Sequence, residues 1–257
     1  MNNSNKRKEY MRDIYSKNWS KKREQYGVEQ YDKDLINEII KKNKNCKVLE
    51  IAIGDGFPYT DALDKMGYQV HGIDISPTHV DMVKNTHPNV QVIVGDAEDL
   101  DYGNSFFEIV FCFRSTWYFS DLMKSIGEMI RVVKKNGLIM FDIQNSCHPI
   151  HQKMIIKNDK QKKSHPIINV IKRYFKNVLK ILVRPVVFHG TDWSLKNHPI
   201  IETPTNPYDV IKYLNNCKNI KYTIFGVEWD EPFTFLEIIK NKDINELDKL
   251  VFKVLNY

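Results

Sequence analysis

The feature that most constrains the fold is a short apolar run that leads directly into a glycine-rich turn. Residues 47–53 read Lys-Val-Leu-Glu-Ile-Ala-Ile, and Gly54-Asp55-Gly56 follows. A run this apolar predicts a strand buried on both faces, and a helical pattern begins near Tyr59. This order of strand, glycine turn and helix lets the backbone approach a nucleotide, since a Cβ would block the approach or forbid the backbone angles. An ordinary tight turn fits the same residues. The segments that follow therefore have to distinguish a nucleotide-binding turn from an ordinary one.

Two further strands end in an acid. Residues 69–75 form the second predicted strand with Asp74 at its end, and residues 90–94 form the third, followed by Gly95 and Asp96. A carboxylate at the end of the second strand of a β-α-β unit can accept hydrogen bonds from both hydroxyls of a ribose. Strands at 107–113 and 138–143 complete five strand–helix repeats. The order predicts a parallel sheet.

In combination these segments resemble class I S-adenosylmethionine (SAM)-dependent methyltransferases, over about residues 30–145. The similarity lies in a small-x-Gly-x-Gly turn preceded by Glu50, in Asp74 twenty residues after Gly54, and in Asp96 after the third strand. Ala52 stands where the family most often has glycine. The resemblance implies an α/β fold, a doubly wound, mostly parallel seven-stranded sheet, with SAM as cofactor and S-adenosylhomocysteine as product.

The resemblance also implies which residues meet the cofactor. Asp74 would meet the ribose, Asp96 would accept from the adenine amino group beside the Ala97 backbone, and Glu50 would lie near the amino group of the donor. Glu98 and Asp99 are expected in solvent or capping a turn. The predicted cofactor-binding residues are Glu50, Ala52, Gly54, Gly56, Asp74, Ile75, Asp96, Ala97 and Cys112.

The acceptor is expected beside the loop that follows the fourth strand, because open α/β sheets bind ligands outside the carboxyl ends of their strands. Trp117 and Tyr118 could wall this pocket, and Arg114 could reach an anionic group of the acceptor. Tyr15, in an aromatic stripe of the N-terminal segment, could cover it. Packing against the core is the alternative for each aromatic side chain.

Histidine is the usual base near neutral pH, and a hydroxyl acceptor must lose its proton. His148 and His151 directly follow the fifth strand, and His189 lies near Asp192, which could orient an imidazole. One of these three histidines is the predicted base. Their order does not single one out.

Four segments are predicted. Residues 1–44 form N-terminal helices and a lid, 45–145 the SAM-binding core, 146–205 a lid or substrate insert, and 206–257 the C-terminal part of the core. For the insert, a homodimer contact and a helix on a membrane surface are the alternatives. The last segment is expected to hold strands at 220–225 and 233–239, then a helix over 244–257.

Composition limits the partners. The net charge of +6 is too mild to indicate nucleic acid by itself, and no metal cluster or disulfide framework is expected from four distant cysteines. No apolar signal core opens the chain and no apolar run is long enough to span a bilayer, so a reducing cytoplasm is the expected location.

A small-molecule acceptor that carries an anionic group is therefore the first hypothesis. The lysine-, asparagine- and isoleucine-rich chain resembles bacterial enzymes that decorate surface-polysaccharide building blocks. This implies O-methylation of a sugar, phosphorylated or phosphoramidate precursor. The alternatives are an RNA- or protein-modifying methyltransferase, and a non-catalytic protein with the SAM-binding fold.

Overall fold

A computed structural model describes residues 8–9, 11–12, 27–41, 46–152, 203–227 and 244–257. The chain forms two compact units, one of residues 1–148 with 203–257 and one of residues 149–202. The first unit contains the sheet. In the second unit only residues 149–152 are described, and they are helical.

The first unit is built on a seven-stranded sheet with the strand order β3-β2-β1-β4-β5-β7-β6. Strands β1 to β5 run parallel to one another, and β7 is antiparallel to both of its neighbours. This arrangement confirms the predicted mostly parallel sheet. The strands are β1 Lys47–Ile51, β2 Gln69–Asp74, β3 Gln91–Val94, β4 Phe107–Cys112, β5 Val133–Gln144, β6 Ile220–Val227 and β7 Lys249–Asn256.

Five helices of the described chain flank the sheet, and local signals explain where several of them begin. Asn206 accepts a hydrogen bond from the Tyr208 N–H at 3.0 Å, and Asp121 accepts from the Lys124 N–H at 3.0 Å, so both act as N-caps. Ser76 also occupies an N-cap position, but its hydroxyl makes no capping bond. The helices are α1 Gln30–Ile40, α2 Tyr59–Lys65, α3 Pro77–Thr86, α4 Leu122–Val132 and α5 Pro207–Asn216.

Apolar side chains cover the sheet on both faces. On one face the buried residues of α1, α2 and α3 include Leu35, Leu63 and Val83. On the other face α4 and α5 contribute Met129 and Leu214, among others. Burial on both faces explains why the central strands have no polar face in sequence, and it confirms the doubly wound architecture. None of the helices in the described ranges is both long and apolar enough to cross a membrane.

The helix predicted over residues 244–257 is wrong. One turn of 3-10 helix at Ile244–Glu246 leads into strand β7, which lies between β5 and β6 and pairs with both. Leu247, Leu250, Val251 and Val254 have helical spacing, but two rows of backbone hydrogen bonds and burial within the sheet outweigh this local pattern. The strand predicted at 233–239 lies outside the described residues, and the antiparallel partner of β6 is β7.

Strand β5 begins at Val133, five residues before the strand start predicted at residue 138, because residues 134–137 belong to it. The register between β4 and β5 shifts between Phe107 and Ile109, and Asn136 has a positive φ of 59°. The residues before 138 therefore form an irregular first part of the strand rather than a connection into it. A short 3-10 helix, Thr116–Tyr118, follows β4.

Candidate functional site

The glycine turn joins the end of β1 to the end of β2. Ala52, Gly54 and Gly56 have positive φ angles of 58°, 59° and 86°. The N–H of Gly54 donates to Oδ2 of Asp74 at 2.9 Å. The turn therefore has the left-handed backbone that glycine favours, with alanine at the first of the three positions.

Asp74, the acid predicted for the ribose, is buried at the end of β2 with 6% of its surface exposed. Its Oδ1 accepts from the Ser76 N–H at 2.8 Å and lies 3.3 Å from Nδ1 of His79. The carbonyl of Ile75 accepts from Nε of Arg12 at 3.2 Å. The carboxylate thus ties the glycine turn to the start of α3, and its Oδ2, which accepts from Gly54 alone among the described residues, keeps a further lone pair.

Asp96, the acid predicted for adenine, follows β3 and remains one-third exposed at its side chain. Its Oδ2 lies 2.6 Å from Nζ of Lys8, and its Oδ1 accepts from the Glu98 N–H at 2.9 Å. Ala97 is buried. The described residues of the N-terminal segment therefore reach both strand ends predicted for adenosine.

Glu98 differs from the expectation of a solvent-exposed or turn-capping residue. Its side chain is 6% exposed and pairs with Lys8 at 2.7 Å. Its Oε1 accepts from the N–H groups of Ser120 and Asp121 at 2.9 Å and 2.8 Å. Glu98 therefore anchors the loop that precedes α4. Asp99 is exposed, as expected.

Glu50 and Cys112 lie at the centre of the same edge of the sheet. Oε2 of the buried Glu50 accepts from Oγ1 of Thr60 at 2.6 Å. Burial raises the pKa of the Cys112 thiol, and the nearby Asp142, Glu50 and Asp74 carboxylates raise it further. Carboxylates from β1, β2 and β5 therefore converge around the end of β4. This convergence defines the candidate site.

The residues predicted to contact the acceptor have side chains in different surroundings. Nη2 of Arg114 lies 2.5 Å from Glu29 and 3.0 Å from Asp32, so its guanidinium forms ion pairs with two acids around the start of α1. Trp117 is buried, and its ring centroid lies 5.7 Å from that of Tyr118. Tyr15 lies outside the described residues.

Sequence reasoning missed a buried group beside Trp117 that is formed by Tyr31, Asp142 and Lys249. Asp142 accepts from the Tyr31 hydroxyl at 2.7 Å and from the Arg114 N–H at 2.8 Å. Nζ of Lys249 lies 4.8 Å from the centroid of the Trp117 ring and 5.7 Å from that of Tyr31. Asp142, near the end of the apolar fifth strand, has a usable sequence signal, but the helix predicted over residues 244–257 places Lys249 elsewhere.

The three histidines predicted as base candidates are placed unequally. His148 is half-buried in the first unit, with Nδ1 4.0 Å from Oδ1 of Asp248. His151 is buried and belongs to the second unit. His189 lies outside the described residues. Within the described ranges, no group of three or more His, Cys, Asp or Glu side chains is arranged to hold a metal ion.

Comparison with known proteins agrees with this geometry. Residues 49–141 match the family model described as a methyltransferase domain. A demethylmenaquinone methyltransferase from Chlorobaculum tepidum is 30% identical over 133 residues, which are 52% of this chain and 49% of that protein. The chain therefore spans about half the length of the curated relatives it matches first.

Two proteins match over most of their length. An uncharacterized protein of Methanocaldococcus jannaschii is 27% identical over 244 residues, which are 90% of this chain and 86% of that protein. A solved SAM-dependent methyltransferase from Thermotoga maritima aligns with a TM-score of 0.55 at 12% identity and covers 90% of each chain. At this identity the second likeness concerns the fold alone.

Proposed function

We propose that this chain transfers a methyl group from SAM to a small-molecule acceptor. The premise is that residues 49–141 match a methyltransferase domain and that the sheet around them has the Rossmann-like strand order described above. The observation that carries the proposal is the convergence of the glycine turn, Asp74 and Asp96 at the carboxyl edge of the sheet. Ligands of open α/β sheets bind at this edge.

The residues present fit the cofactor. Asp74 and Asp96 would meet the ribose and the adenine amino group, and the glycine turn offers backbone with little side chain. The Ser76 hydroxyl is buried beside Asp74 with no hydrogen-bond partner in the described parts of the chain, which suits a ligand rich in hydroxyls. When bound, the cofactor supplies an electrophilic methyl group.

The protein has two tasks in this reaction. It must hold the acceptor in line with the methyl group, and alignment of this kind lowers barriers by roughly 7–11 kcal/mol in favourable cases. It must also receive a proton when the acceptor is a hydroxyl, which contributes a factor of roughly 10² to 10⁴. We keep Trp117 and Tyr118 as acceptor walls, and His148, His151 and His189 as candidate bases.

For the acceptor we propose an oxygen of a sugar, phosphorylated or phosphoramidate precursor of a surface polysaccharide, with the insert at 146–205 as its lid. The basic residues of that insert support an anionic acceptor. The demethylmenaquinone methyltransferases among the relatives support a second candidate, an isoprenoid quinol precursor. An RNA or protein acceptor is the third alternative.

Calorimetric titration of S-adenosylhomocysteine into the purified protein tests the cofactor, with NAD as the control ligand. We expect saturable 1:1 binding of S-adenosylhomocysteine alone. Transfer of labelled methyl from SAM to sugar nucleotides, sugar phosphates, a naphthoquinol, tRNA and a protein extract then compares the acceptor classes. Absence of any S-adenosylhomocysteine binding would remove the enzymatic proposal while leaving the fold unchanged.

A further inference from the structure

Strand β7 brings a lysine to the edge of the sheet where the cofactor residues converge. Because β7 runs antiparallel to β5, its first residue lies beside the carboxyl end of β5, and Lys249 pairs with Gln144. A helix at this position would not have placed Lys249 there. Its side chain therefore reaches the candidate site from the strand that lies between β5 and β6.

Lys249 is almost fully buried, with 5% of its surface exposed. Its Nζ faces the rings of Trp117 and Tyr31 at 4.8 Å and 5.7 Å from their centroids. Aromatic rings thus surround the amine on two sides, where a cation or an amine lies favourably against the ring faces.

The charges around this amine come from several elements. Among these groups the Asp142 carboxylate on β5 has the largest effect on the pKa of Lys249. Smaller effects come from Arg114, Asp248 and Glu29. Burial lowers the pKa of Lys249, and the Asp142 carboxylate partly offsets that decrease. Burial likewise raises the pKa of Asp142, and Lys249 opposes this. Each group therefore limits the cost of burying the other.

A buried Lys–Asp pair is weak evidence for stability, because removing two charges from water costs about as much as their attraction returns. Asp142 also has its own hydrogen bonds, from the Tyr31 hydroxyl and the Arg114 N–H. Location at the ligand edge and contact with the Trp117 ring point to a role in chemistry.

We propose that Lys249, rather than one of the three candidate histidines, takes the proton from the hydroxyl of the acceptor. The inference rests on the proposed methyl transfer. The O–H bond of the acceptor breaks, and its proton binds the lone pair on Nζ of Lys249, which enters the step as the neutral amine. The oxygen forms a bond to the methyl carbon, and the electron pair of the broken C–S bond stays on sulfur. Lys249 then returns the proton to solvent.

The probe is 4-nitrophenol. Its ionised form absorbs visible light and its neutral form does not, so absorbance reports whether the bound phenol has lost its proton. It is titrated into the complex with S-adenosylhomocysteine, in weak buffer with a pH indicator, at a pH below the pKa of the free phenol. We expect bound nitrophenolate without release of a proton to solvent, because the proton moves to Nζ.

Three variants separate the roles of charge and proton transfer. Lys249→Arg keeps a cation that cannot lose its proton, so each phenolate bound should release one proton to solvent. Lys249→Met should lose the phenolate signal. Lys253→Met is the matched control, because Lys253 lies four residues along the same strand and pairs with Glu38 at 2.8 Å. It should behave as wild type.

Folding and cofactor binding are measured alongside. If Lys249→Met fails to fold, the double variant Lys249→Met with Asp142→Asn removes both charges and replaces it. S-adenosylhomocysteine should bind wild type and all folded variants within a few-fold, which tests the proposed function separately. The proposal is overturned if wild type does not ionise the probe, if it releases a proton for each probe bound, or if Lys249→Met gives the wild-type signal.

Discussion

Ala52 has a backbone conformation that suits glycine better than alanine, with φ at 58°. A left-handed conformation costs an alanine roughly 1–2 kcal/mol. Glycine avoids this cost, but it loses more conformational entropy on folding than alanine, which costs roughly 0.5–1 kcal/mol. Ala52→Gly should therefore raise the free energy of unfolding by up to about 1 kcal/mol, measured in urea. The turn should keep its shape in wild type and in Ala52→Gly, so the affinity for S-adenosylhomocysteine should change little.

The control is Ala62→Gly, the same chemical change inside helix α2. It should lower the free energy of unfolding by about 1 kcal/mol, because glycine in a helix interior is less favourable than alanine. Equal losses at both positions would mean that the Ala52 conformation carries no strain.

Asp74 and Asp96 have protein partners that define how their loss should act. Asp74→Ala removes the acceptor for the Gly54 and Ser76 N–H groups, and Asp96→Ala removes a partner of Lys8. A hydrogen bond to a charged group is worth about 1.5–3 kcal/mol. Each variant should therefore weaken S-adenosylhomocysteine binding by roughly tenfold or more in calorimetric titration.

Asp81→Ala, on the exposed surface of α3, is the control and should bind like wild type. Wild-type affinity of both Asp74→Ala and Asp96→Ala would place the cofactor elsewhere. A loss confined to Asp74→Ala would assign adenine to other contacts.

At the scale of elements, strand β2 carries a histidine that makes stability depend on pH. His71 is buried against the rings of Tyr102, Phe106 and Phe107, and burial lowers its pKa below the usual 6.5. The unfolded chain therefore binds a proton more readily than the folded chain. Stability contributed by the neutral imidazole is present above about pH 6.5 and is lost as the pH falls through the folded-state pKa.

His71→Phe keeps an aromatic ring and removes the titration. The variant should lose less unfolding free energy than wild type between about pH 7.5 and pH 5.5, measured by urea titration at each pH. If the unfolding free energies of wild type and His71→Phe change equally with pH, His71 has the same pKa in the folded and unfolded chain.

The elements that sequence predicted well are those whose signal is local. The apolar run before Gly54, Asp74 at the end of β2 and Asp96 after β3 mark strand ends, because parallel strands present polar groups to a ligand at their carboxyl ends. These features need no knowledge of distant contacts.

The part that failed depends on pairing across the chain. Residues 249–256 form a strand because β5 and β6, both distant in sequence, offer it two unpaired edges. Without that strand, the sequence could not place Lys249 beside Trp117 or Tyr31. The burial of Glu98 could not be predicted for the same reason, because the backbone groups that it binds lie more than twenty residues away.

At the scale of the whole molecule, the first unit is continuous in space although residues 149–202 interrupt it in sequence. The Thr205 N–H donates to the Gln144 carbonyl at 2.8 Å, and the Ser146 N–H donates to the Thr205 carbonyl at 3.0 Å. The Thr203 N–H donates to the Trp117 carbonyl at 2.9 Å. The chain thus leaves and re-enters the first unit at nearly the same point.

Replacing residues 149–202 with a short Gly/Ser linker should therefore leave the first unit folded. Loop-closure entropy changes by only about 0.6 kcal/mol for each doubling of loop length, and β6 and β7 remain in place. We expect cooperative thermal unfolding and S-adenosylhomocysteine affinity within a few-fold of wild type. Methyl transfer should be lost if the insert covers the acceptor.

Truncation after residue 148 is the opposite case. It removes β6 and β7, exposes the edge of β5 and leaves Phe141 without the stacked ring of Phe252, whose centroid lies 5.2 Å away. An uncovered apolar edge strand favours aggregation, so this fragment should not give a folded monomer. If the linker variant aggregates as the truncated fragment does, residues 149–202 are needed for folding itself, and their role cannot be confined to the acceptor.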